Sequence, residues 1–444
     1  MSASASRSPA SYGRGAAVLS VGIGLTGLIT FSYFSLASYA LPEAEYGRIT
    51  LLWSAMFITV SILYRPVEQL LSRTIADHDA RGIEGTHHLR VAATIQLALA
   101  VAFALGALIL RGPIQDGLFG GSRTLYWILV AGVLAYAASY FARGFLAGHR
   151  RFGLYGGLVL MESSSRTLFA LAVTVGILEG QSAVALGIVA APIVSLAVVP
   201  PALARRLAPG SRDERDEPDP AQLDAAARDE PSAREPEFTL ARGSGFAAAV
   251  LLVMLCEQTF LNAGPLLVEA TTDGPEGAVL AGVVFNVLLI ARAALTLFQA
   301  VQTAILPHLT RLRAIGETDP FRRSVSVTLL AIGGFSGAVA LVMLVAGPTV
   351  MGLLFGGDFD YTRGGLVLVA LGMGLYLSAA TLNQALLAHA RAGHASAVWV
   401  STAAAFVLFL LLVELDDRVL QVELAFTGAA VVLSAALYAL YRRA

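Results

Sequence analysis

Lysine is missing from this chain: all 30 basic side chains are arginine. Cysteine is nearly missing too. Cys256 stands alone, which excludes a disulfide framework and a cysteine-based metal centre. Charge of either sign is scarce. Only 14% of the 444 residues are charged, against 56% hydrophobic, where a soluble domain carries about 25% charged residues. Such a deficit means that most of the surface faces lipid. The net charge of −1 points to no partner by itself, and no nucleic acid is expected. Walker A, G-x-S-x-G and H-E-x-x-H patterns are all lacking. The chain therefore has no nucleotide site of its own to drive transport, shows no catalytic constellation, and is not expected to be an enzyme.

What is present is a series of long apolar runs. A spanning helix needs about 20 mostly apolar residues. By that rule about twelve spans follow, at 16–41, 46–64, 91–110, 125–146, 155–178, 182–204, 246–268, 278–306, 325–355, 365–388, 396–415 and 419–441. Residues 1–14 form a short, polar, Ser-rich tail, and the run after it is too long for the core of a signal peptide, so the first span is expected to be retained. One hydrophilic stretch, 205–242, divides the series. It is rich in Asp, Glu, Arg and Pro and has almost no large apolar side chain. It cannot bury enough surface to offset its ordering entropy, so a disordered cytoplasmic linker is expected. The organisation is then a cytoplasmic tail at 1–14, a six-helix bundle at 15–204, the linker at 205–242 and a second six-helix bundle at 243–444. The fold class is an all-α polytopic membrane protein.

The arginines orient it. With both termini cytoplasmic, 23 of the 30 fall in inside segments, five in outside turns, and Arg166 and Arg292 inside spans. That is a strong positive-inside bias, and a wrong span count would destroy it. The halves also echo each other. Pro42-Glu-Ala-Glu-Tyr-Gly47 and Pro275-Glu-Gly-Ala-Val-Leu-Ala-Gly282 both occupy the outer turn after the first span of their half. Two bundles in one orientation make a parallel repeat, whose midplane interface is where transporters usually hold substrate.

Several segments together resemble a known family. Ala40-Leu-Pro-Glu-Ala-Glu-Tyr-Gly47 is similar to the turn after the first span of Wzx-type oligosaccharide flippases. Arg143-Gly-Phe-Leu-Ala-Gly-His-Arg-Arg-Phe-Gly-Leu-Tyr155, followed by Glu162 and Arg166, resembles the pattern around that family's fourth and fifth spans. Gln302-Thr-Ala-Ile-Leu-Pro-His-Leu-Thr310 is similar to its signature at the end of span eight. The resemblance implies the MOP flippase superfamily, which also holds MurJ-like flippases and MATE antiporters. It implies a V of two six-helix bundles around a central cavity, in the bacterial plasma membrane. It also implies a function: moving polyprenyl-pyrophosphate-linked oligosaccharide to the outer leaflet for surface polysaccharide synthesis. Membrane lipids and glycan-assembly proteins are the further partners it suggests.

Charge at bilayer depth is costly and normally paired or wet. Glu162 and Arg166 are spaced i, i+4 and could pair on one helix face. Glu257 and Arg292, on consecutive antiparallel spans, could meet at similar depth. Arg292, Thr296, Gln299 and Thr303 form one polar stripe, and Gln258 and Asn262 another. Thr26 and Thr30 share a face of the first span. Under the resemblance, Arg166 and Arg292 bind the pyrophosphate, which suits the planar donor fork of arginine. Glu162 and Glu257 hold the arginines in the empty carrier or take a proton or Na⁺. Thr26, Thr30, Gln258, Asn262, Thr296, Gln299 and Thr303 line the cavity, and Arg65 and Arg73 flank its cytoplasmic mouth. No cofactor or metal is expected beyond that coupling ion. The plain alternative is that both charge pairs only lock helices together. Arg143, Arg150 and Arg151 read as topology determinants that meet anionic lipid.

Two other classes compete. A cation-coupled small-solute antiporter, of MATE or major-facilitator type, shares the six-plus-six plan. The loop Arg65-Pro-Val-Glu-Gln-Leu-Leu-Ser-Arg73 does not match the major-facilitator signature, and spans one and ten carry no acidic residue. A membrane polymerase or ligase would usually carry a large outer loop, and every outer loop here is short.

Overall fold

Backbone polar groups cannot stay unpaired in hydrocarbon, so a chain this apolar satisfies them within helices. The structure, a computed structural model, describes residues 9–81, 86–149, 151–198, 240–272, 274, 276–292, 294, 318–356, 359–389 and 391–443. In the first half the helices are α1 (Pro9–Ala40), α2 (Glu43–Leu63), α3 (Arg65–Arg81), α4 (His87–Ile109), α5 (Arg111–Phe119), α6 (Arg123–Gly148), α7 (Phe152–Thr174) and α8 (Gly180–Ser195). In the second half they are α9 (Leu240–Thr271), α10 (276–292), α11 (Thr318–Phe355), α12 (Arg363–Ala388), α13 (Ala392–Leu412) and α14 (Arg418–Arg442). No strand occurs among the described residues. The linker lies almost wholly outside them, since 199–239 is not described.

Two helices fall where loops were expected. α3 continues α2 past Tyr64, and the ladder carries through, with Tyr64 N donating to Val60 O at 2.9 Å and Glu68 N to Tyr64 O at 3.0 Å. Pro66 sits in the first turn of α3, where its missing N–H is not needed. α5 fills an outer connection and ends at Gly120, whose φ of 54° is the left-handed cap that glycine allows. The turn into α14 is tight as expected, and Asp417 caps that helix by accepting the Leu420 N–H at 2.9 Å.

Among the described residues, eight helices are long and apolar enough to cross a membrane. α7 is not one of them. Glu162, three serines and Arg166 interrupt its apolar run, so its place in the bundle depends on burying that polar face.

The repeat is visible in the packing. α1 packs on α7, and their counterparts α9 and α13 pack on each other. The pairs α7–α8 and α13–α14, α6–α8 and α12–α14, and α4–α6 and α11–α12 correspond in the same way. The halves touch along α2–α9 and α1–α11. The two echoing turns meet directly. A Cβ on Gly47 would run into the Ala278 carbonyl, and one on Gly282 would lie 3.3 Å from the Gly47 Cα. Only the lack of a side chain at these positions permits the approach.

Candidate functional site

A cavity of about 410 Å³ opens between the halves. Arg65 (α3), Arg143 (α6) and Arg292 (α10) reach its wall, with Thr26 and Thr30 from α1, Tyr155 from α7, and Gln258 and Asn262 from α9. Trp53 and Phe57 of α2 form an aromatic side, stacked with centroids 4.0 Å apart. Among the described residues, no carboxylate lines the cavity. Three guanidinium forks around one space suit an anion with several oxygens.

Arg292 is held from α9. Its Nη2 donates to the Leu261 carbonyl and, at 2.7 Å, to Asn262 Oδ1. Asn262 in turn donates to Gln258 Oε1 at 3.1 Å. The ring of Phe285 lies 4.4 Å from the guanidinium carbon, a cation–π contact worth about 0.5–2 kcal/mol. The rest of the expected stripe, Thr296, Gln299 and Thr303, lies outside the described residues.

Arg166 is deeper than the sequence suggested. It is only 2% exposed and does not reach the cavity wall. Trp53 lies over its guanidinium at 4.4 Å. It donates to the Tyr136 hydroxyl at 3.3 Å and to Thr30 Oγ1 and Ser163 Oγ at 3.4 Å. Thr30 and Trp53 therefore stand between it and the cavity in this conformation. Thr26 returns its hydroxyl to Gly22 O at 2.8 Å, which satisfies it within its own helix.

The expected pairing of Glu162 with Arg166 is replaced by another. Glu162 Oε2 accepts from Arg143 Nη2 at 2.5 Å and from Ser139 Oγ at 3.4 Å. Within one helix, i and i+4 are neighbours, but α6 brings a guanidinium directly opposite. Arg143 is thus a half-buried member of the site and not only a topology determinant. Its guanidinium also covers Tyr140 at 4.5 Å. Glu68 adds a second carboxylate to its field and accepts from the Tyr155 hydroxyl at 3.1 Å.

Glu257 lies in the field of a different cation from the one its spacing suggested. Arg65, across the interface on α3, is the cation whose field reaches it, while Arg292 turns to the oxygens of Leu261 and Asn262. Arg73 is exposed on α3 and does not line the cavity. Sequence reasoning missed Trp53, Tyr155 and Asn286. Asn286 had a signal, as a lone amide in the apolar run Val-Val-Phe-Asn-Val-Leu.

Away from the arginines, the interface is shut at the end that holds the echoing turns. Tyr46 donates its hydroxyl to Asn286 Oδ1, and Asn286 donates to the Tyr361 hydroxyl at 2.9 Å. On the other side Ser35 donates to Leu354 O at 2.5 Å and Tyr39 to Leu353 O at 2.6 Å. These contacts close the halves on each other at that end.

No protein-family model matches the chain, and no curated protein does. Solved structures do. A multidrug resistance MATE family transporter of the MOP superfamily, in its inward-facing conformation, superposes with a TM-score of 0.65 at 13% identity, covering 96% of this chain and 98% of that one. The eukaryotic MATE transporter AtDTX14 gives 0.62 at 15% identity, over 96% of this chain and 95% of that one. A MOP superfamily transporter from Pyrococcus furiosus, whose reversed pocket polarity is described as suggesting a different function, gives 0.59 at 13% identity, over 97% and 95%. The chain shares the fold of these transporters. At these identities the likeness is one of architecture.

Proposed function

We propose that this chain is a membrane transporter of the Wzx type, which carries a polyprenyl-pyrophosphate-linked oligosaccharide from the cytoplasmic to the outer leaflet by alternating access. One observation carries the reading: Arg65, Arg143 and Arg292 converge on a cavity that, among the described residues, no carboxylate lines. A pyrophosphate diester offers two negative charges and several acceptor oxygens, which is what three guanidiniums recognise. In this reading the clamp is Arg292 with Arg65 and Arg143. Arg166, behind Trp53, contributes field and joins the substrate only if Trp53 moves. Thr30, Gln258 and Asn262 meet sugar hydroxyls. The arginine-rich end faces the cytoplasm, following the positive-inside bias, so the observed conformation would load from the side where such lipids are assembled.

A MATE-type cation-coupled antiporter of small solutes is the second reading. Two structural neighbours described as MATE transporters favour it, and Glu257, in the field of Arg65, is its best ion site. The polarity of the cavity argues against a cationic cargo, as it would place arginines against a positive charge. In the Pyrococcus neighbour, too, reversed pocket polarity is taken to suggest a different function.

The test is leaflet accessibility of lipid-linked glycan in the producing cell. Deletion of the gene should trap the glycan on the cytoplasmic leaflet, and Arg292→Ala and Arg65→Ala should do the same while still inserting. Normal crossing in a deletion strain with no second flippase would overturn the glycolipid reading.

A further inference from the structure

A second cavity, of about 790 Å³, lies at the end that holds the echoing turns. It shares no residue with the arginine cavity. Both halves wall it: Arg48 of α2 and Asp116 of α5 from the first, Glu269 of α9 and Thr272 just past that helix from the second. Ala278, which meets Gly47 at the glycine crossing, belongs to the same wall. The cavity therefore sits directly beside the closed contact.

Its charges are of both signs, and they are not spent on each other. The field of Arg48 reaches Glu269, yet among the described residues the two form no ion pair. Each is set in place by a glycine. The Arg48 guanidinium lies against the end of α5, where a Cβ on Gly120 would come within 3.3 Å of Nη2. Glu269 lies against the start of α10, where a Cβ on Gly277 would come within 2.8 Å of Oε2. That Oε2 and the Thr272 hydroxyl are buried and have no hydrogen-bond partner among the described residues. Leaving a buried acceptor without a donor costs about 1–3 kcal/mol. One wall thus offers a donor fork, and the wall facing it offers acceptors.

We propose that this cavity binds a phosphoethanolamine group, with the phosphate on Arg48 and the ammonium on Glu269 and Thr272. A guanidinium matches phosphate oxygens, and a primary ammonium supplies the N–H donors that the acceptors lack. A bare cation would be opposed by Arg48, and a bare anion by Glu269 and Asp116. A zwitterion meets both walls at once. The group has two sources, a phospholipid headgroup or the free ester. The lipid has a path for its chains: Leu110 lines the cavity and runs into Ile109 and Leu108, which are exposed on α4. An occupant that touches both halves holds them together at this end. The inference is independent of what the arginine cavity carries.

The experiment is native mass spectrometry of the full-length protein in detergent, titrated with phosphatidylethanolamine, phosphatidylcholine and phosphatidylglycerol of matched chains. The wild type should bind phosphatidylethanolamine on the order of tenfold more tightly than phosphatidylcholine, whose trimethylammonium has no N–H to donate. Glu269→Gln should remove that preference while phosphatidylcholine still binds as before. Arg48→Gln should weaken all three, since it removes the partner of the phosphate they share, and Arg48→Lys should recover part of the loss. A change of selectivity with binding retained separates a lost headgroup contact from misfolding. Excess soluble phosphoethanolamine distinguishes the sources: displacement of the bound lipid assigns the site to the headgroup alone, and no displacement assigns it to the intact lipid. Equal binding of the three lipids by the wild type, or a preference that survives Glu269→Gln, would overturn the proposal.

Discussion

The two ends of the interface between the halves are built from opposite materials. At the end that holds the echoing turns, glycine backbone meets backbone, and the side chains that bridge the halves there are neutral and bonded to one another. Gly47, Gly282 and the chain Tyr46–Asn286–Tyr361 close it. At the other end, arginines from three helices face a common space. Neutral, small groups let two surfaces come into contact with no charge to desolvate. Like charges around a shared cavity disfavour its closure, and in the proposed reading an anion relieves them. The asymmetry teaches that the closed end is a packing device and the open end an electrostatic one. A cargo that changed the second would alter the balance against the first.

The comparison can be broken most severely at the arginine end. Arg143→Met leaves Glu162 buried without its cation, which should cost about 3–5 kcal/mol of stability. Thermal unfolding in detergent should show it, with Arg65→Met losing far less. The packed end comes next. Gly47→Val adds atoms where the Ala278 carbonyl already lies, and overpacking of this kind costs about 1–3 kcal/mol. That penalty falls on the closed state, so the balance should move roughly ten- to hundredfold toward opening at that end. The rate of impermeant-thiol labelling at Ser54→Cys, in a Cys256→Ser background, reads the shift; an unchanged rate would mean that the glycine crossing does not set the balance.

A smaller effect should follow from Asn286→Leu. It removes the amide between the hydroxyls of Tyr46 and Tyr361 and leaves both without that partner, at about 1–3 kcal/mol. Labelling should rise, and the double variant with Tyr46→Phe should recover part of the loss, since it deletes one stranded hydroxyl. The smallest change belongs to Arg73→Ala. It is exposed and off the cavity wall, so glycan crossing should stay near wild type and stability within about 0.5 kcal/mol of it. A large loss there would place the mouth of the cavity further along α3 than the structure does.

Hydropathy and arginine placement made the helices legible in detail. Runs such as 365–388 and 419–441 differ from α12 and α14 by only a residue or two at their ends, because lipid demands continuous apolar helices. α3 and α5 were not legible. They are amphipathic surface helices without a long apolar run, and their order comes from what they pack on. In the site, Arg292, Gln258, Asn262, Thr26 and Thr30 were found by spacing along single helices, and the cavity wall includes all five. The partners of the charges were not found that way. Spacing ranks neighbours on one helix, and it offered Arg166 for Glu162 and Arg292 for Glu257. The structure supplied Arg143 from α6 and the field of Arg65 from α3.

The sequence by itself determined that this chain fills a membrane with helices, that it repeats, and that it keeps a few charges at depth. Each of these is a one-dimensional constraint: the length of an apolar run, the recurrence of a turn, the cost of an ion away from water. Tertiary structure alone decided which charge meets which, that Arg166 lies behind Trp53, and that Gly47 and Gly282 cross at the closed end. Those facts depend on contacts between residues far apart in the chain, and they are fixed by how helices pack around the polar groups they must bury.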